Sequence, residues 1–332
     1  MAGKSGKVTG AFRNASGLYA AGAILCWSTV ATAFKWALTD FTPATLLFIA
    51  TSSAIATLFL ILFASGKRGG LFSSIPRNAW YRAAFLGFIN PFLYYLILFK
   101  AYSLLPAQVA QALNMVWPLL LVLLSIPILG QKIGWIGILS MIISFSGALF
   151  IALQGDPGSL FRGELHIKNP WGVALALGSA FLWAIYFLLN MKNKVSGPVG
   201  LLMNFIFAWI YIVLFLTIRF LLQKHGLLSS PGLATPVSCF EKYSLRSILS
   251  ALYIGIFEMA VPFVIWLKAL TLAKNIAAVS SLIYIFPFLS LLLIHYVLGE
   301  PIFPSTIIGL IFIITGVLLS RFSNSGKSRT FA

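Results

Sequence analysis

Apolar runs of about 20 residues, separated by short polar breaks, recur along the chain. Ten can be placed, near 18–38, 44–64, 83–101, 107–129, 133–153, 171–190, 198–222, 248–268, 276–298 and 305–321. A helix of that length crosses a hydrocarbon core about 30 Å thick. Membrane β-strands need only about 10 residues each and alternate strictly, which these runs do not. Helices are then the remaining way to satisfy every backbone polar group inside lipid. The pattern predicts an all-α membrane protein with ten transmembrane helices. The first run follows a basic tail and lacks a small-residue cleavage site, so it reads as a retained span. Most connections are only a few residues, while 154–170 and 223–247 carry Gly, Pro and Ser and read as longer loops.

The runs repeat. Lys100-Ala101-Tyr102-Ser103-Leu104 is answered by Lys268-Ala269-Leu270-Thr271-Leu272, and the next run contains Trp117-Pro118 in one case and Phe286-Pro287 in the other. Twelve residues beyond each proline stand Gly130-Gln131 and Gly299-Glu300, and Gly147 and Gly316 fall at matching offsets of twenty-nine. Trp27 and Trp183 each follow a glycine by five residues, Gly22 and Gly178. The predicted organisation is a basic tail over 1–17, a five-helix repeat over 18–153, an outer linker over 154–170, a second five-helix repeat over 171–321, and a tail over 322–332. Five is odd, so a tandem copy enters the membrane from the opposite side. Such inverted-topology repeats enclose a central cavity with a solute site near the midplane in secondary carriers, which work by alternating access.

Composition agrees with a membrane protein: 60% of residues are hydrophobic and 9% charged, against about 45–50% and 25% in soluble domains. A net charge of +17 would suggest nucleic acid in a soluble protein. Here the cations are scattered between spans, so no nucleic-acid partner is expected. With the N-terminus inside, fifteen of the 23 Lys and Arg residues fall on the inner side, and Asp40, Asp156, Glu164, Glu241 and Glu300 fall outside. Both termini are therefore expected in the cytoplasm. Cys26 lies in a span and Cys239 in a loop, which implies neither a disulfide nor a metal site.

Glu258 is the only carboxylate well inside a span. A charge at the bilayer centre costs about 2.5–3.5 kcal/mol on insertion scales, so such residues face a cavity or a partner. Its expected role is to contact a substrate amino group or take up a proton; the alternative is a protonated structural Glu bonded to a neighbouring helix. A register shift of 168 residues puts Asn90 at the matching place in the first half. Trp27, Tyr94, Tyr95, Trp117, Trp183, Tyr186 and Tyr284 lie deep in spans, where buried indoles and phenols want polar partners and suit flat or cationic ligands. Plain helix packing explains any one of them equally well. Trp36, Trp80, Tyr81, Trp135 and Trp171 sit at span ends, as an interfacial belt. Asn114 and the pair Ser280 and Ser281 precede prolines and could hydrogen-bond a solute. Pro91, Pro118, Pro262 and Pro287 interrupt helices and are candidate hinges or static kinks.

These features together, ten spans in two repeats, the Lys-Ala-x-[Ser/Thr]-Leu turns, the aromatic-Pro pairs and Gly299-Glu300, resemble the drug/metabolite transporter superfamily, EamA type. The likeness covers roughly 18–321 and is strongest to bacterial aromatic amino-acid exporters. Gln131 stands where the second half has Glu300, a departure from the pattern. The resemblance implies a bacterial inner-membrane exporter of amino acids, with helices 1, 3, 4, 6, 8 and 9 lining the cavity. Aromatic or hydrophobic solutes suit the deep rings best. Another small metabolite (nucleoside, nucleotide sugar or drug) is the alternative, and a membrane-embedded enzyme or a channel are the rival classes. Three His and six acids are spread along the chain without a catalytic constellation, and no filter-like stretch is visible. No ATP-binding loop, cofactor or obligate protein partner is indicated.

Overall fold

The computed structural model describes residues 5–66, 75–130, 134–158, 169–191, 195, 197–227, 243–273, 279 and 282–324. Among these, all regular structure is helical. In chain order the helices are α1 (Ser5–Asp40), α2 (Pro43–Ala64), α3 (Arg77–Leu104), α4 (Ala107–Asn114 continued by Trp117–Leu129) and α5 (Trp135–Ala152). They continue with α6 (Pro170–Met191), α7 (Gly197–Lys224), α8 (Leu245–Thr271), α9 (Leu282–Leu298) and α10 (Pro304–Asn324). The first eight are long and apolar enough to cross a membrane, and the apolar parts of α9 and α10 are shorter. Within the described residues, each of the ten predicted runs overlaps one helix. Large apolar side chains such as Leu25, Leu60, Ile142 and Leu214 are exposed on the helix surfaces, the distribution expected where lipid is the solvent.

The repeated motifs turn out to be helix punctuation. In the first Lys-Ala-x-[Ser/Thr]-Leu copy Ser103 Oγ donates to the Lys100 carbonyl at 2.7 Å, and in the second Thr271 Oγ1 donates to the Lys268 carbonyl at 2.9 Å. These hydroxyls bond back onto carbonyls of the last turn, and the Lys268 carbonyl also accepts the Leu272 N–H at 3.1 Å. Gly130 and Gly299 stop α4 and α9 at φ +68° and +69°, a left-handed cap that glycine adopts without steric cost. Glu300, next to the second of these, receives the Ala107 N–H at 3.2 and 3.1 Å on its two oxygens and so caps α4. Gln108 ties the same corner, donating to the Pro301 carbonyl at 2.7 Å and accepting from Phe303 N–H at 2.9 Å. Asp40 does the equivalent work for α8: its carboxylate accepts from Ser244 N–H at 2.9 Å and Ser244 Oγ at 2.7 Å.

By packing, the chain divides into two compact units, Met1–Phe99 with Asn193–Phe286, and Lys100–Lys192 with Pro287–Ala332. The first holds α1, α2, most of α3, α7 and α8. The second holds α4, α5, α6, α10 and α9 from Pro287. Each unit thus draws helices from both sequence halves.

In the first unit α3 lies on α7 and α8 lies on α2, at two glycines. A Cβ at Gly87 would strike the Asn204 carbonyl, and one at Gly255 would strike the Ala50 carbonyl. Polar links cross the same helices, Tyr211 to the Ala84 carbonyl at 3.2 Å and Trp209 to Ser52 at 2.9 Å. In the second unit α5 and α10 share the most extensive helix contact among the described residues. Ser140, Ser144, Gly147 and Ile151 on α5 face Gly309, Ile313 and Gly316 on α10, and Ser144 Oγ donates to the Ile313 carbonyl at 2.9 Å. Small residues let backbones approach where no hydrophobic effect drives helices together.

A Cβ at Gly147 would sit 2.6 Å from the Gly309 carbonyl, whereas one at Gly178 would meet nothing within 4 Å. Gly147→Leu should therefore lower the melting temperature in detergent and the folded yield, since such overpacking costs roughly 1–3 kcal/mol or more. Gly178→Ala should leave both unchanged or slightly raised. Equal effects of the two substitutions would contradict the packing described.

Candidate functional site

Two of the long helices change winding near their midpoints. In α3 the residues Phe88–Leu93 form a π-type turn, and Asn90 leaves helical geometry altogether at φ −145° and ψ 123°. Proline accounts for the lost helical bond: Pro91 has no N–H to give the Gly87 carbonyl. The Asn90–Pro91 peptide is cis. In α8 the residues Gly255–Ala260 form the matching π-type turn, directly before a new helical segment with Pro262 in its first turn. Pro262 likewise has no N–H for the Glu258 carbonyl. The offset of 168 that pairs Asn90 with Glu258 also pairs the close-approach glycines Gly87 and Gly255.

Glu258 is 9% exposed and Asn90 2%. The Tyr95 hydroxyl donates to Glu258 Oε1 at 3.1 Å. Glu258 Oε2 and Asn90 Oδ1 are both buried with no hydrogen-bond partner among the described residues. Buried acceptors left open are uncommon and need an explanation such as an ion, a water or a ligand. Tyr95 packs against Tyr94 and Phe99, with ring centroids 4.7 and 5.5 Å away. Elsewhere in this unit Trp27 of α1 meets Phe263 and Trp266 of α8 edge-on at 5.7 and 5.6 Å. Tyr284 is buried in a short turn of 3-10 helix over Leu282–Ile285.

The second unit gathers Asn114, Trp117, Trp183 and Tyr186. Asn114 Nδ2 donates to Ser179 Oγ at 2.9 Å, and Ser179 Oγ in turn bonds the Ala176 carbonyl at 2.7 Å. Trp117 lies 6.3 Å from Trp183 and 5.9 Å from Phe187, and Trp183 lies 5.8 Å from Tyr186. Both tryptophans are part-exposed at mid-helix. Ser179 and Phe187 were not anticipated from sequence; a serine next to the paired Gly178 was the available signal. Ser280 and Ser281 lie outside the described residues.

All four prolines mark a change of helical segment. Pro118 follows the irregular Met115–Val116 turn that divides α4, and Pro287 is the second residue of the α-helical segment that succeeds the 3-10 turn. At the helix ends, Tyr81, Trp135 and Trp171 are exposed, as an interfacial belt requires. Trp36 instead carries the Arg246 guanidinium over its ring at 5.4 Å, and Trp80 packs on Phe207 at 6.2 Å. No cluster of three or more His, Cys, Asp or Glu that could hold a metal occurs among the described residues.

These features define a polytopic helical membrane protein with a buried carboxylate and broken helices. The EamA-like transporter family matches residues 15–153 and again 170–322, and the chain belongs to that family. A similar protein is an uncharacterized transporter of Clostridium kluyveri, 29% identical over 199 residues, which are 59% of this chain and 58% of that one. The match thus spans less than two thirds of that relative. A probable terminal-alkyne amino-acid exporter of Streptantibioticus cattleyicolor is 25% identical over 68% of this chain and 67% of its own. The uncharacterized transporter YvbV of Bacillus subtilis is 26% identical over 82% and 81%. One solved protein structure covers 95% of this chain and 100% of its own with a TM-score of 0.60 at 19% identity, a likeness of fold alone.

Asn114 and Ser179 should be energetically coupled. In a double-mutant cycle with Asn114→Ala and Ser179→Ala, the coupling should fall near 0.6–1.7 kcal/mol, the range roughly found for side-chain hydrogen bonds between membrane helices. Additive losses of thermal stability in detergent would show that the contact contributes nothing.

Proposed function

We propose that this protein is a secondary transporter that moves amino acids, aromatic or hydrophobic ones, out of the cytoplasm by alternating access. The carrying observation is Glu258: a buried carboxyl midway along a membrane helix, with one oxygen unpartnered among the described residues and a helix break around it. Its open oxygen suits the ammonium group that every amino acid presents, and a carboxyl there can also take up a proton. Deep aromatic groups in each unit support a flat or apolar side chain on the solute. The relative named as an amino-acid exporter supports the same class.

The transport cycle follows from two five-helix repeats of opposite orientation, 18–153 and 171–321, with both termini in the cytoplasm of a bacterial inner membrane. The doubled family match supports two repeats, and the inner-side excess of Lys and Arg supports the orientation. Pro91, Pro118, Pro262 and Pro287 serve as hinges, because freed carbonyls at each break let the flanking segments reorient. Trp27, Asn90, Tyr94, Trp117, Trp183, Tyr186 and Tyr284 contribute solute contacts, with Asn114 and Ser280 as polar ones.

In proteoliposomes the wild-type protein should show saturable counterflow of aromatic or branched amino acids and little of nucleosides or nucleotide sugars. Glu258→Gln should abolish or strongly reduce it with folded yield unchanged; full activity of that variant, with and without a pH gradient, removes the carboxyl from the mechanism. Orientation is checked separately. In a Cys26→Ala, Cys239→Ala background, Lys100→Cys should react with an impermeant maleimide from outside and Lys268→Cys only after permeabilisation. Labelling of both from one side excludes the inverted arrangement.

A further inference from the structure

A carboxyl with two open oxygens accepts donors from several directions and discriminates poorly among them. Glu258 does not have two. Tyr95 donates to Oε1, leaving Oε2 as its open acceptor among the described residues. Tyr95 is only 1% exposed. Its ring lies against those of Tyr94 and Phe99, and Phe99 is met by Phe34 of α1 at 5.0 Å. A phenol braced in this way has little rotamer freedom, so it fixes the carboxyl and does not follow it. Its hydroxyl is engaged with Glu258 and its ring is enclosed. That separates Tyr95 from aromatics such as Trp117 and Trp183, whose rings are part-exposed. Tyr95 is the second residue of the α-helical segment that follows the Asn90 break.

We propose that Tyr95 is a positioning residue that makes the site selective for amino-bearing solutes: it fills Oε1 and holds the Glu258 carboxyl so that Oε2 is the oxygen offered to an ammonium group. The inference rests on the reading that Glu258 meets the amino group. A solute without N–H donors leaves Oε2 unpaired in a dry environment and is disfavoured, by about 10- to 100-fold for a buried acceptor of this kind. Without the tyrosine hydroxyl, the carboxyl can turn, and the alignment is lost while the apolar contacts remain.

The experiment compares phenylalanine with 3-phenylpropionate, its analogue lacking the amino group, in counterflow by the purified full chain in proteoliposomes. The wild type should prefer phenylalanine. Tyr95→Phe should raise the KM for phenylalanine about tenfold, leave that for 3-phenylpropionate within about twofold, and keep kcat, as expected for a lost hydrogen bond to a charged group. Phenylalanine binding, read as a thermal shift of the purified protein in detergent, should fall in Glu258→Gln and fall no further when Tyr95→Phe is added. Equal weakening of both solutes, an unchanged KM ratio, or additive effects in the double variant overturn the proposal. Should Tyr95→Phe fail to fold, Phe99→Leu removes a bracing ring and must narrow the KM ratio in the same sense; an unchanged ratio again overturns it. A wild type that carries phenylalanine without preferring it overturns this inference alone. A wild type that carries no amino acid at all overturns the transport reading and this inference with it.

Discussion

Hydrocarbon offers no hydrogen bonds, and that shapes every break in these helices. A backbone group left open there costs several kcal/mol, so a proline in a span is tolerated only where something else takes up the loss. Here the breaks coincide with distinct local solutions. The α3 and α8 breaks widen into π-type turns, α4 is divided by a short irregular turn, and α9 enters through a 3-10 turn. Asn90 and Glu258 stand inside two of these breaks, and Asn114 ends the segment before a third. Polar side chains and disrupted backbone therefore occur together, which is the combination a solute site inside a membrane requires.

The same constraint sorts the acidic residues. Asp40 and Glu300 sit at helix ends, each receiving a backbone N–H from the start of a helix distant in sequence, α8 for Asp40 and α4 for Glu300. Their charge complements a helix N-terminus and satisfies donors that a helix leaves open. Glu258 has no such task. Its hydrogen bond comes from a tyrosine side chain on another helix, and its second oxygen has no hydrogen-bond partner among the described residues. Gly299-Glu300 owes its form to a left-handed cap followed by a capping carboxylate, which accounts for that motif without any contact to solute.

Helix contacts exchange between the halves in a regular way. The Gly87 approach of α3 to α7 is mirrored by the Gly255 approach of α8 to α2. Repeat partners α2, α3, α7 and α8 consequently gather in one compact unit, and α4, α5, α9 and α10 in the other. Neither sequence half is a packing unit by itself, because a glycine that lets two backbones touch finds its partner in the opposite half.

Much of this was readable from the chain. Ten apolar runs predict ten helices because hydrocarbon thickness fixes span length, and the doubled motifs predict two related halves because identical helix ends need identical punctuation. The depth of Glu258 and Asn90 follows from the same ruler. Other features were out of reach. That Tyr95 gives its hydroxyl to Glu258, that Ser179 receives Asn114, and that Asp40 caps a helix two hundred residues away depend on which faces meet. Local pattern determines helix length and ends, whereas the pairing of faces is decided by close packing among helices that are apolar on nearly every side. With no amphipathic stripe to announce the inward face, only the assembled structure selects it.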